Sequence, residues 1–156
     1  MRRIFFIPIL IPSLILILGC SRQTSAGGSS LDQEAARRFS DTLADDLIGD
    51  RRDEIINKLD GDLKKTMDAR GLRGALDAMI SLFGQPTECK YKADELGYKI
   101  SSSGRRAMRK FWYSAKTTKH PEGYYLFVEV VQEGAELRTT GFSIVTFPGG
   151  APPNLR

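Results

Sequence analysis

Cysteine, histidine and tryptophan are nearly missing from this chain of 156 residues, which has two, one and one of them. With only Cys20 and Cys89 the fold is no disulfide scaffold and has to hold by packing. A zinc site needs three or four ligands at recognisable spacing, and a lone His120 with so few cysteines writes none. No glycine-rich phosphate cradle occurs, since Gly71-Leu72-Arg73-Gly74 reads as a helix entrance. A run long enough to cross a bilayer is missing too. Residues 4–18 supply fifteen uncharged positions, interrupted by Pro8 and Pro12, where about 20 apolar residues are needed. A strong charge of one sign is also absent: 23 basic against 19 acidic residues falls to +2 once Arg2 and Arg3 are set aside, so net charge says little about partners.

What is present begins with an address. Arg2 and Arg3 precede the apolar run, and Ile17-Leu18-Gly19-Cys20 closes it with a small residue and a cysteine. That is the layout of a secretory signal peptide over 1–19. The closing tetrapeptide resembles the lipobox of bacterial lipoproteins, which implies lipidation of Cys20 and removal of the residues before it. A retained helix, a signal without lipid, and a twin-arginine signal in Arg2-Arg3-Ile4-Phe5-Phe6 are the competing readings of the same residues. Residues 20–30 then form the lipidated cysteine and a tether, because 21–30 hold Gly27, Gly28 and four serines and no large apolar residue. Ser21 is not the aspartate that retains lipoproteins in the inner membrane of enterobacteria. The resemblance therefore implies an outer-membrane anchor facing the periplasm.

Residues 31–147 are the size of one ordinary domain able to bury a core. Ala36, Phe39, Leu43 and Leu47 fall at helical spacing over 31–48, with Ser30 as N-cap and Gly49 as stop. Asp50 is expected to cap a shorter second helix carrying Ile55, Ile56 and Leu59, interrupted at Gly61-Asp62 before Leu63 and Met67 resume. A third helix over 72–83 presents Leu72, Ala75, Leu76, Met79, Ile80 and Phe83, and is expected to form the main apolar ridge. Gly84 and Pro86 end it. The period then drops to two. Strands are expected over 88–93 and 96–100 with a break at Asp94-Glu95, then over 107–118, 124–132 and 136–147, with 148–156 a loose tail rich in Pro and Gly. The fold class is α+β, three N-terminal helices packed on a curved four-stranded antiparallel sheet.

That element order, with Gly49-Asp50, Leu59-Asp60, Leu63 and a third helix ending Ser81-Leu82-Phe83-Gly84, resembles the nuclear-transport-factor-2-like, or cystatin-like, superfamily. The resemblance implies a roll with a conical pocket. Some members are isomerases or dehydratases with Asp and His in that pocket; most are binding or accessory modules, and fold alone assigns no activity.

Candidate chemistry is sparse. His120 opens the polar turn His120-Pro121-Glu122-Gly123, where a surface position is the default. Cys89 alternates with Lys90 beside Tyr91 and reads as a buried small hydrophobe. Asp45-Asp46 and Asp53-Glu54 are helix neighbours pointing about 100° apart, which suits a solvated face better than a paired acid and base. No catalytic residue, metal ligand or cofactor is expected.

The one charge asymmetry lies over 101–120, where Arg105, Arg106, Arg109, Lys110, Lys116 and Lys119 stand without an acid among Phe111, Trp112 and Tyr113. Two readings compete. Arg105, Arg106, Arg109, Lys110 and Trp112 meet an anionic envelope surface or polymer, or the segment is an edge strand guarded by its cations. Nucleic acid is not an expected partner of an exported protein. The chain is thus expected to be a lipid-anchored envelope lipoprotein, tied to the membrane through Cys20, acting as a non-catalytic binding or accessory module. Alternatives are a small pocket enzyme of isomerase, dehydratase or hydrolytic type, and an adaptor that forms a homodimer or holds a protein partner through its open sheet face.

Overall fold

The computed structural model describes residues 31–101, 104–121 and 123–147. Cys20, the signal segment 1–19, the tether and the tail 148–156 lie outside the described residues. Four helices precede four strands: α1 Gln33–Ile48, α2 Arg52–Lys58, α3 Gly61–Thr66, α4 Ala69–Phe83, β1 Pro86–Ser101, β2 Gly104–Thr117, β3 Tyr124–Glu133 and β4 Glu136–Thr146. The strands form one antiparallel sheet in the order β1-β2-β3-β4, with helices packed against it. The protein is therefore an α+β fold.

Helix α1 is amphipathic for the reason its spacing gives. Ala36, Ser40, Leu43, Ala44 and Leu47 are buried and turn one stripe to the sheet. Its cap is Asp32, whose side chain accepts from the Ala35 amide at 2.7 Å, and not Ser30. The second expected helix is two helices. Leu59 is extended and forms a parallel bridge with Thr139, while the Asp60 amide donates to the Thr139 carbonyl at 2.9 Å. Asp60 then restarts the helix, its carboxylate accepting from the Leu63 amide at 3.0 Å. Asp50 caps nothing. It takes φ 52° and binds Arg52 at 2.8 Å, so α2 starts without a side-chain cap.

Helix α4 begins three residues before the apolar pattern, because Asp68 caps it through the Gly71 amide at 2.7 Å. It ends at Gly84, where φ is 87° and an added Cβ would lie 2.7 Å from the Lys119 backbone nitrogen. Only glycine fits that turn without strain. The main ridge is α1 and not α4. Leu43, Leu47 and Ala36 join Phe111, Tyr113, Leu126, Val128 and Ile144 in the core, whereas α4 contributes Leu76 fully and Met79 and Phe83 in part.

The strands follow the period-two pattern with one change. β1 runs unbroken through Asp94-Glu95, and its register shifts instead at Thr87 and at Lys92, the latter between the pairs Tyr91↔Tyr113 and Ala93↔Trp112. β2 is an interior strand, paired to β1 on one side and β3 on the other. The cation-guarded edge read into this segment is corrected accordingly: the edges are β1 and β4.

Candidate functional site

The basic segment comes first, because tertiary contacts change its meaning. Arg106 donates to Asp60 at 3.0 Å and to Asp62 at 3.1 Å. Arg109 binds Asp94, which also accepts from the Tyr91 hydroxyl at 2.6 Å and from Gln33 at 3.3 Å. Burial alone would raise the Asp94 carboxyl, but the bonds from Tyr91 and Arg109 outweigh it and hold it below the ordinary range. Lys110 pairs with Glu129 at 3.0 Å. Trp112 is buried between Phe127 and Phe147, at ring distances of 5.5 and 5.7 Å, and its indole donates to Glu95 at 3.2 Å. The acids missing from the segment thus come from α3, β1 and β3. Of the five residues named for anionic contact, Arg105 alone is exposed, its guanidinium 3.6 Å from the Tyr98 ring.

A polar network lies beneath α1. The Tyr113 hydroxyl sits 2.8 Å from Ser40 Oγ and donates to Asp41 at 2.8 Å, and Arg37 completes the set by binding Asp41 at 2.8 Å and lying 3.3 Å above the Tyr91 ring. Burial pushes the Tyr113 phenol well above its ordinary titration range, so this hydroxyl keeps its proton. Burial likewise pushes the Cys89 thiol up to about 12, which suits the small hydrophobe expected and not a thiolate. His120 is exposed in its turn, its ring 4.8 Å from Tyr124. Asp46 departs from the expected solvated face: it is buried and bound by Arg51 and Lys58. Among the described residues no group of three His, Cys, Asp or Glu side chains gathers to hold a metal ion. No described helix is long and apolar enough to cross a membrane.

A concavity with apolar walls lies elsewhere. Between α3, α4 and β4 opens a cleft of about 310 Å³, walled by Leu63, Met67, Leu72, Leu76, Met79 and Phe142. It exists because α4 packs on α2 and β4 without closing over the edge of the sheet. Gly141 lies at its floor, and Thr140 and Ser143, beside the bulge between Glu129 and Val130, form its polar margin. No ionisable side chain lines it. No sequence signal marked this cleft, since its walls come from segments far apart in the chain; the nearest hint was the excess of apolar positions on the α4 stripe.

The fold and the cleft define a class no finer than an α+β domain with a one-sided helical layer. Comparison of the chain with family models, curated proteins and solved structures found no match.

Proposed function

We propose that the chain is a lipid-anchored cell-envelope lipoprotein, attached through Cys20, whose folded part is a binding module without catalysis. The address rests on the charged start, the apolar run and Gly19-Cys20, with Ser21 favouring the outer membrane and a periplasmic domain. The binding role rests on the cleft. Its volume is at the lower end of ligand pockets, its walls are apolar, and its polar groups are hydroxyls. Such a site recognises an apolar group, an acyl chain or an aliphatic side chain, and offers no acid, base or nucleophile of matched acidity. A pocket enzyme would have to use Tyr113 and Asp41, and Tyr113 is 2% exposed with its hydroxyl already engaged. The finer fold reading, a nuclear-transport-factor-2-like roll, is supported by helices preceding a four-strand meander and packing on it.

The test is direct. A fluorescent fatty acid should bind the full chain saturably, and Ala75→Trp, which fills the cleft, should weaken binding at least tenfold while circular dichroism stays unchanged. Saturable binding that survives Ala75→Trp, or none by the parent, overturns the cleft reading. Cys20→Ala should abolish fatty-acid labelling and leave a precursor. Labelling that persists would remove the anchor.

A further inference from the structure

The outer half of the β1–β2 hairpin is the largest departure from a well-covered surface. Leu96, Tyr98 and Ile100 are 59%, 55% and 80% exposed, and their register partners are Arg109, Ala107 and Arg105, so one face of the arm carries an apolar row beside a cation. A folded chain hides such a row unless something else covers it. The charge is likewise of one sign, with Arg105 on the face of the apolar row and Lys99 on the other face of the strand. From Leu96 to Met108 the sequence holds Lys99, Arg105 and Arg106 and no acid. Arg106 is paired through one guanidinium nitrogen with Asp60 and Asp62. Lys99 and Arg105 have no carboxylate within ion-pair distance among the described residues, and Arg105 lies flat on Tyr98.

The place of the arm is set by α1. Gln33, the first residue of that helix, bonds to Asp94 at the arm's base, so the chain enters the domain there. Ile100 is six residues further along the strand, a distance of about 20 Å at 3.3 Å per residue. A ten-residue linker of Gly and Ser composition has a root-mean-square reach of about 16 to 19 Å. The linker's length therefore lets an anchor at Cys20 and the tip of the arm reach one surface together.

We propose that the arm docks on the anionic lipid surface to which the chain is anchored, Leu96, Tyr98 and Ile100 entering the interface while Lys99 and Arg105 meet the head groups. The proposal rests on the reading of Cys20 as a lipid anchor. Apolar side chains with flanking cations are what an interfacial contact needs, since each cation near an anionic leaflet adds attraction that falls off within a Debye length. It also narrows the anionic-contact expectation from five residues to Arg105, joined by Lys99.

The full chain, purified in detergent from bacterial membranes, would be reconstituted into phosphatidylcholine vesicles holding about one-third phosphatidylglycerol and a trace of nitroxide lipid. A fluorophore is placed at Ile100→Cys or, as control, at Leu82→Cys, which is 68% exposed in the last turn of α4, just before β1 begins. Quenching at 100 should exceed that at 82 several-fold. It should drop to the level at 82 in Lys99→Glu/Arg105→Glu and in 1 M salt, where the Debye length is about 3 Å. Vesicle-bound chain with equal quenching at both sites overturns the docking alone. Chain that does not float with the vesicles overturns the anchor and the docking together. Self-quenching at 100 without lipid quenching assigns the arm to a second copy and overturns the proposal.

Discussion

The two edges of the sheet are protected in opposite ways. At β4 the chain itself returns: Leu59 bridges Thr139, Asp60 donates to its carbonyl, and α3 and α4 stand over the strand. At β1 among the described residues no strand returns, and the edge is managed by Glu88, Lys90, Lys92 and Lys99 and by bulges at Thr87 and Lys92. Unpaired edges invite pairing with other chains, and covering or charging them are the two usual remedies. The covered edge is where a buried ion pair and an apolar cleft are built. The charged edge is where apolar groups remain in solvent.

The largest effect that would sharpen this contrast is at the covered edge. Asp60 is 1% exposed and holds Arg106, the Leu63 amide and the bridge to β4. Asp60→Ala leaves Arg106 with Asp62 alone and the Leu63 amide without its cap, and should cost about 2 to 4 kcal/mol in urea unfolding. A loss below about 1 kcal/mol would show that the cover is ornamental.

The helices above the sheet should divide in the same sense. Leu43→Ala, in the α1 ridge, should cost about 2 to 5 kcal/mol, while Met79→Ala, at the cleft wall, should cost about 1 kcal/mol because its site is already open. Equal losses would mean that the cleft is packed in solution.

At the charged edge the expected effect is smallest and reads by pH. Glu88 is held down to about 2 by hydrogen bonds from Lys116 and then Lys90. A depressed carboxylate contributes above its ordinary range near 4.5 and loses that contribution as pH falls towards 2. Since the group lies at the surface, solvent and salt screen it. An NMR titration at low salt should place its midpoint near 2 and move it upward in 1 M salt. A salt-independent midpoint would refute a screened surface pair.

Much of the fold was legible where a local signal is also the physical cause. Alternation found four strands, Gly84 stops α4 because only glycine suits its φ, and Glu133-Gly134 turns with Gly134 at φ 61°. The bulge at Lys92 misled because one extra residue shifts the alternation, and a shifted pattern reads as a break. The second helix was misjudged because Leu59 is drawn straight by Thr139, a partner from the far end of the chain. The site was hardly legible at all. Ion pairs of Arg106, Arg109 and Lys110 are made with acids from other elements, and no count within one segment reveals them. The cleft is a gap between segments, which leaves no motif.

The bridge from Leu59-Asp60 to Thr139 has a consequence in time. Helix α3 is six residues long, too short to persist alone, and one wall of its setting is the last strand. A chain delivered N-terminus first cannot settle α3 until Thr139 has emerged, so this corner closes only when synthesis or transport is nearly complete. Truncation before β4 would release the α2–α3 junction while leaving the α1 helix its partners in β1, β2 and β3.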